Sequence, residues 1–254
     1  MNVRLLLICT ISLLFAACTS NSINNSRGLA NAPSSPADVY VKLGKQYIAR
    51  GNLRTALGEL KHALAIDANN SEAHNAIAIL YERLGKEGLA EGHYQKAVDL
   101  FPNNSSAQNN YGRYLCAHHN YAEAQKRFKL AYQNPLYEKP WFALTNAGNC
   151  ALSSENLEEA ETLLRKSLQA NRKFPPTLLE MSKLNLKKQN FLSARAFLQR
   201  YESVSRQTSD SLWVGIQTER KLNNQENVDN YAKRLLATFP NSEEAGFYRS
   251  SQTP

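Results

Sequence analysis

SEAHNAIAILYERLGKEGLAEGHYQKAVDLFP, residues 71–102, sets small and aromatic residues at offsets that return along the chain: Ala78, Ala90, Tyr94, Ala97 and Pro102. Counted from Ser71, the pattern starts again at Ser105, Trp141, Pro175 and Ser209, and once before, at Ala37. The spacings are 34, 34, 36, 34 and 34. The first unit holds Tyr40, Leu43, Gly44, Tyr47, Ala56, Leu60 and Ala63, and the third Tyr111, Gly112, Leu115, Ala124, Phe128 and Ala131. After a two-residue insertion the fourth gives Leu144, Ala147, Gly148, Ala151, Ala160 and Leu164. Units five and six are weaker, with Leu178, Met181, Ser182, Ala194 and Leu198, then Leu212, Gly215, Val228, Ala232, Leu235 and Pro240. Six matches in phase are a repeat.

A period of 34 with these offsets resembles the tetratricopeptide repeat, a pair of antiparallel helices per unit. That resemblance implies an all-α chain, a right-handed superhelical solenoid of about six helix pairs over residues 37–242. The physics of the offsets agrees. Gly44, Ala78, Gly112 and Gly148 fall where the first helix of each pair must approach the second, which outweighs the roughly 1 kcal/mol that a mid-helix glycine costs. Gly51-Asn52, Leu84-Gly85-Lys86 and His119-Asn120 fall in the turns within pairs. Asn103 and Asn241, after Pro102 and Pro240, are expected to cap the helices that follow. No unit can bury its apolar face alone, so stability must come from stacked neighbours.

Residues 1–17 fall outside the repeats. Arg4 precedes an almost wholly apolar stretch, Leu5 to Ala16, that closes on Ala16-Ala17-Cys18. It is too short for a stable membrane span and has the charged start, apolar middle and small-residue ending of a secretory signal. The cysteine after the small residues makes Leu14-Phe15-Ala16-Ala17-Cys18 resemble a bacterial lipobox, with Phe15 where leucine is usual. Residues 1–17 are therefore expected to be a lipoprotein signal peptide and Cys18 a lipidated anchor; an ordinary cleaved signal is the other reading. Thr19 and Ser20 follow, not the aspartate that resembles an inner-membrane retention signal. The expected location is thus the periplasmic face of the outer membrane. Residues 18–36, rich in Asn, Ser, Ala and Pro, read as a flexible tether. Residues 243–254 read as a helical turn or two with a frayed tail.

Lys and Arg outnumber Asp and Glu by 30 to 22, a net charge of +8. On the periplasmic side that charge is not directed at nucleic acid; it favours acidic partner segments, anionic lipid headgroups or peptidoglycan. With Cys9 in the signal and Cys18 the anchor, Cys116 and Cys150 remain in an oxidising compartment. They fall on the first helices of neighbouring units, so a disulfide is geometrically reasonable; two separate buried thiols are the alternative. His62, His74, His93, His118 and His119 show no metal-ligand spacing, and His74 reads as packing. Neither a nucleophile elbow nor a phosphate loop occurs. The chain reads as a non-enzyme and a monomer, with no cofactor, metal or small-molecule substrate.

The function must then lie in what the surface holds. In repeats of this kind places 2, 5, 9, 12 and 13 of each unit line the concave face, an assignment the resemblance implies and helical periodicity supports. Those places give a candidate partner-binding groove of Val41, Lys45, Asn75, Ile79, Arg83, Asn109, Arg113, Phe142, Asn149, Leu179 and Trp213. Ile48, Leu152, Leu186, Lys183, Lys187, Arg220 and Lys221 stand among them. Apolar side chains rimmed by cations fit an extended peptide or amphipathic helix, unless several face the next unit instead. Asn75 and Asn109 share one place in adjacent units and are expected to bond a bound backbone. Replacing Asn75, Asn109 and Arg113 by Ala is expected to weaken capture without unfolding the array. Val41, Lys45 and Ala76 depart from the Lys and Asn set of repeats that clamp a terminal carboxylate.

Lipobox, six repeats, the run Asn109-Asn110-Tyr111-Gly112-Arg113-Tyr114-Leu115-Cys116 and the segment Leu144-Thr145-Asn146-Ala147-Gly148-Asn149-Cys150-Ala151 together resemble the PilF/PilW family of type IV pilus biogenesis and stability lipoproteins. The likeness spans essentially the whole mature chain. It implies a pilotin: a non-enzymatic outer-membrane lipoprotein that binds the pilus secretin subunit and promotes its localisation and multimerisation. A lipoprotein scaffold for cell-wall synthesis or another secretion system is the alternative.

Overall fold

A computed structural model describes residues 35–252; the expected signal peptide, Cys18 and nearly all of the tether lie outside the described residues. Helices α1 (Pro36–Ala49) and α2 (Leu53–Ile66) form the first pair, α3 (Ser71–Arg83) and α4 (Glu87–Leu100) the second, α5 (Ser105–Ala117) and α6 (Tyr121–Gln133) the third. Helices α7 (Pro140–Ser153) and α8 (Leu157–Ala170), α9 (Pro175–Lys187) and α10 (Phe191–Glu202), and α11 (Ser209–Lys221) and α12 (Gln225–Thr238) complete six pairs. The fold is all-α, a right-handed superhelical solenoid. A thirteenth helix, α13 (Glu243–Ser250), packs on α11 and α12, where a seventh first helix would stand.

Helix starts follow from local chemistry. Ser35 and Asp38 make a reciprocal capping box at α1, with Pro36 in the first turn, where a missing N–H costs nothing. The caps of α5 and α13 are Asn104 and Ser242, one residue beyond the Asn103 and Asn241 expected from sequence. Each preceding loop closes a turn first, Asn104 N–H onto the Phe101 carbonyl and Ser242 N–H onto that of Phe239, which delays the helix by one residue.

All six turns within pairs are three residues long, and place 15 of every unit has positive φ: Gly51, Gly85, His119, Glu155, Gln189 and Asn223. Glycine adopts this geometry freely; Glu155 and Gln189 hold it against the steric cost of a Cβ.

The pairs close on a small-against-large contact between places 8 and 24. A Cβ added to Gly44, Gly112 or Gly148 would stand 2.6–2.8 Å from Leu60, Phe128 or Leu164, closer than carbon atoms approach. The partner side chains are fully buried, each contributing roughly 1.5–3 kcal/mol. The second unit uses Ala78 against Tyr94, and the fifth Ser182 against Leu198, with the serine hydroxyl donating to the Ala194 carbonyl at 2.8 Å. The sixth unit inverts the pattern: Ile216 and Ala232 occupy these places, and the close approach moves one residue, to Gly215 against Tyr231.

The core comprises three buried clusters, one over the first two units, one over units two to five, and one over the last two. Half-buried Ile79 and Tyr81 join the first to the second, and Leu168 and Phe197 join the second to the third. Because each pair is a hairpin, the short turns fall on one edge and the loops between pairs on the other. Those loops are bonded side by side, Asn104 Nδ2 to Ser71 Oγ at 2.9 Å, Asn134 Nδ2 to Ser105 Oγ at 2.8 Å and Arg200 Nη2 to the Arg172 carbonyl at 3.2 Å.

Two substitutions test this account by chemical denaturation. Glu155→Gly relieves the left-handed strain and is expected to stabilise by about 1 kcal/mol. Gly112→Val drives a side chain into Phe128 and the Ala124 carbonyl and is expected to destabilise by about 1–3 kcal/mol.

Candidate functional site

The first helices lie parallel and in register, and most of the side chains predicted to line a groove hold neighbouring units together. Val41 and Leu179 are core residues, 4% and 8% exposed, and Ile79 is half-buried between two clusters. This corrects the groove assignment: place 5 points between units when it is apolar. Asn75 and Asn109 are also buried, and they bond the next unit, not a guest. Asn110 Nδ2 donates to Asn75 Oδ1 at 3.1 Å, and Asn146 Nδ2 donates to Asn109 Oδ1 at 2.9 Å. In the fourth unit Thr145 takes over, in a buried hydroxyl cluster with Ser167 and Thr177 that sequence reading missed.

The cations are similarly occupied. Arg113 grips Glu82 through two hydrogen bonds, 2.9 and 2.7 Å, while Tyr94 Oη donates to the same carboxylate at 2.8 Å. Lys45 pairs with Glu72 of the next unit. Arg83 donates to the Ile48 carbonyl at 2.8 Å and Lys187 to that of Leu152 at 3.3 Å. Both sit at place 13 and cap the carbonyl end of the preceding first helix, where a cation is favoured. Lys183 bridges Glu180 and Asp210 across units five and six, and burial pushes the Glu180 carboxyl above its usual range. Trp213 is covered by α13, with Phe247 6.2 Å away and Arg220 lying over both Trp213 and Tyr248. It is a seal, not an open anchor.

What remains open lies on α5 and α7. One cleft of about 540 Å³ is lined by Ser106, Asn110, Tyr137, Glu138, Lys139, Phe142, the edge of the predicted Asn109, and Leu136, which is 83% exposed. Phe142 is 42% exposed and meets Phe174 edge-on at 4.7 Å. The six-residue loop 134–139, which carries the insertion, forms one wall. A second cleft, about 260 Å³, is lined by Arg113, Cys116, Asn146, Asn149 and Cys150. Cys116 and Cys150 are joined in a disulfide, with Cα atoms 5.8 Å apart, tying α5 to α7. Apolar and aromatic side chains stand in the first cleft and amides in the second, the mixture that captures a peptide or helix.

His74 and His93 face one another within the second unit, Nδ1 to Nδ1 at 2.9 Å. His74 Nε2 lies 3.3 Å from the Ala68 carbonyl and donates to it, so its Nδ1 accepts from His93. Burial, with His74 and Lys96 adding to it, lowers His93 to about 4. No group of three or more His, Cys, Asp or Glu among the described residues has the arrangement of a metal site. No described helix is long and apolar enough to cross a membrane.

Tetratricopeptide-repeat profiles match residues 37–85, 71–104, 93–126 and 143–174. The chain is 29% identical over 242 residues to the type IV pilus assembly protein PilF of Pseudomonas aeruginosa, covering 95% of this chain and 96% of that protein. A solved structure from a functional characterisation of Pseudomonas aeruginosa PilF is 30% identical, with a TM-score of 0.74, over 85% of this chain and 97% of its own. The crystal structure of PilW, described as a widely conserved type IV pilus biogenesis factor, is 28% identical with a TM-score of 0.77, over 85% and 99%.

Two measurements separate stitching from binding. Asn109→Ala removes the acceptor of the half-buried Asn146 amide and is expected to cost about 0.5–1.5 kcal/mol in denaturation, whereas Leu136→Ala is expected to stay within about 0.5 kcal/mol. The histidine pair is tested by pH. The folded state holds His93 neutral while the unfolded chain binds its proton near pH 6.5. Its contribution is therefore complete above pH 6.5 and lost as pH falls toward 4. Thermal midpoints are expected to drop across that window, with a shallower slope for His93→Gln.

Proposed function

The chain belongs to the PilF/PilW family of tetratricopeptide-repeat proteins of type IV pilus biogenesis, and we propose that it is a lipid-anchored protein of the outer membrane that binds the pilus secretin subunit and promotes its multimerisation. Its work in this reading is protein–protein interaction during pilus assembly, with no chemistry of its own. The observation that carries it is family membership together with the open clefts on α5 and α7, where the predicted groove residues Phe142 and Asn149 are exposed, with Leu136 of loop 134–139 beside Phe142, while nearly every other predicted groove residue is engaged. The lipobox-like run ending in Cys18 supports the anchor and the location.

Deleting the gene and measuring secretin multimers with surface pili tests the role. Loss of both is expected, with restoration by the parent gene and not by the combined Leu136→Ala, Phe142→Ala, Asn149→Ala variant at equal protein level. Normal multimers and pili in the deletion strain would falsify the secretin reading. Cys18→Ser is expected to abolish palmitate labelling and outer-membrane fractionation; an unlabelled, soluble parent protein rules out the anchor.

A further inference from the structure

Residues 164–208 hold ten Lys and Arg against two Glu. That excess of eight equals the net charge of the whole chain, +8, so the remainder is balanced. Six of the ten are engaged: Arg165 and Lys188 with Glu161, Lys183 with Glu180 and Asp210, Arg195 with Glu219, Lys187 with the Leu152 carbonyl and Arg200 with the Arg172 carbonyl. The other four are Lys166, Arg172, Lys173 and Arg206. All four are exposed, and they and Arg200 have no carboxylate partner among the described residues. These four and Arg200 gather on one edge. Arg172 and Lys173 lie in the loop 171–174 and Arg206 in 203–208, while Lys166 and Arg200 stand toward the ends of the second helices that feed those loops. Arg200 binds the two elements together through the Arg172 carbonyl. Leu136, 83% exposed, stands in the loop before them, and Val204, 37% exposed, in the loop of Arg206.

We propose that this edge of units four to six seats on an anionic lipid surface. Cations without carboxylate partners spread over successive loops, with one apolar tip in the loop before them and one, Val204, in the loop of Arg206, match a field of phosphates and an acyl boundary. The first cleft meets this edge only at loop 134–139; its other walls, Ser106, Asn109, Asn110 and Phe142, lie on the first helices, away from the five cations. The chain also leaves the solenoid on this edge: α1 begins at Pro36 with its start among the starts of the other first helices, on the side of the loops between pairs. On the reading given above, the residues that lead to a lipidated Cys18 join α1 on this same side of the stack, at the first unit.

The test uses residues 35–252, which contain all three core clusters; the chain covers 97% and 99% of the two relatives of solved structure. Lacking Cys18, this region reports the edge without the anchor, and with no pilus component present its result is separate from the secretin reading. Flotation is measured with vesicles of phosphatidylcholine alone or with about 30% phosphatidylglycerol, at about 0.1 M salt, where screening leaves near-surface attraction intact. Binding only to the anionic vesicles is expected. The edge variant Lys166→Gln, Arg172→Gln, Lys173→Gln, Arg206→Gln is expected to lower partitioning at least about tenfold. A variant of equal charge elsewhere, Lys42→Gln, Lys61→Gln, Lys86→Gln, Lys96→Gln, is expected to lower it less than about threefold. Melting curves establish that both variants are folded. A parent that ignores anionic vesicles overturns the proposal, as do equal losses in the two variants. Capture of polyglutamate through the same four residues, without vesicle binding, assigns the edge to an acidic protein instead.

Discussion

Inside each helix pair two backbones meet at one small residue, and the side chain opposite it sets how far apart they stand. Gly44, Gly112 and Gly148 leave no room for even a methyl group beneath Leu60, Phe128 and Leu164. The spacing this imposes recurs unit after unit, so the first helices arrive parallel and at matching heights. Everything that joins the units uses that register. The sixth pair shows that the requirement is for a small side chain somewhere at the crossing and not at a fixed place, since Gly215 and Tyr231 serve when Ile216 fills place 8. A solenoid built this way distributes its stability over contacts between neighbours.

With the register set, polar groups can be spent between units. Asparagine amides, the Arg113–Glu82–Tyr94 cluster and the place 13 cations all satisfy groups at the seams. Buried amides of this sort contribute little net energy when paired and cost more when stranded, so they define which neighbour fits more than they add stability. The same use of side chains empties the face of free functional groups until α5 and α7. There the insertion in loop 134–139 and the aromatic pair Phe142–Phe174 open the stack.

Much of the fold was legible in the sequence because it rests on residue size at fixed spacing, which a single chain displays directly. The period, the six pairs and the small residues at place 8 could all be counted. The face was less legible. Place 5 was assigned to the concave face by the resemblance, supported by periodicity within one unit, yet the partners of Asn75 and Asn109 sit 35 and 37 residues away. Arg113 resembled a free cation because Glu82 belongs to the previous unit, and Trp213 resembled an open anchor because the packing of α13 depends on tertiary contact. The signal that could have flagged the ladder was the amide at place 6, Asn110 and Asn146, following an amide at place 5 of the unit before. Phe142 was found at place 2 of its unit, and its exposure follows from its position near the start of α7, beside the exposed loop 134–139.

The Cys116–Cys150 bond closes a loop of 34 residues around one complete unit-to-unit step. Under a pull along the stack, a solenoid behaves as springs in series, each junction yielding according to its own stiffness. Noncovalent seams peel from the ends inward, and the first and last units give way before the middle ones. At the junction of units three and four the chain cannot lengthen beyond the bridge while the disulfide stands. Load applied at the two ends therefore passes through the bridge and spares residues 117–149, so loop 134–139 and the start of α7, which carry Leu136 and Phe142, keep their shape while the outer units extend.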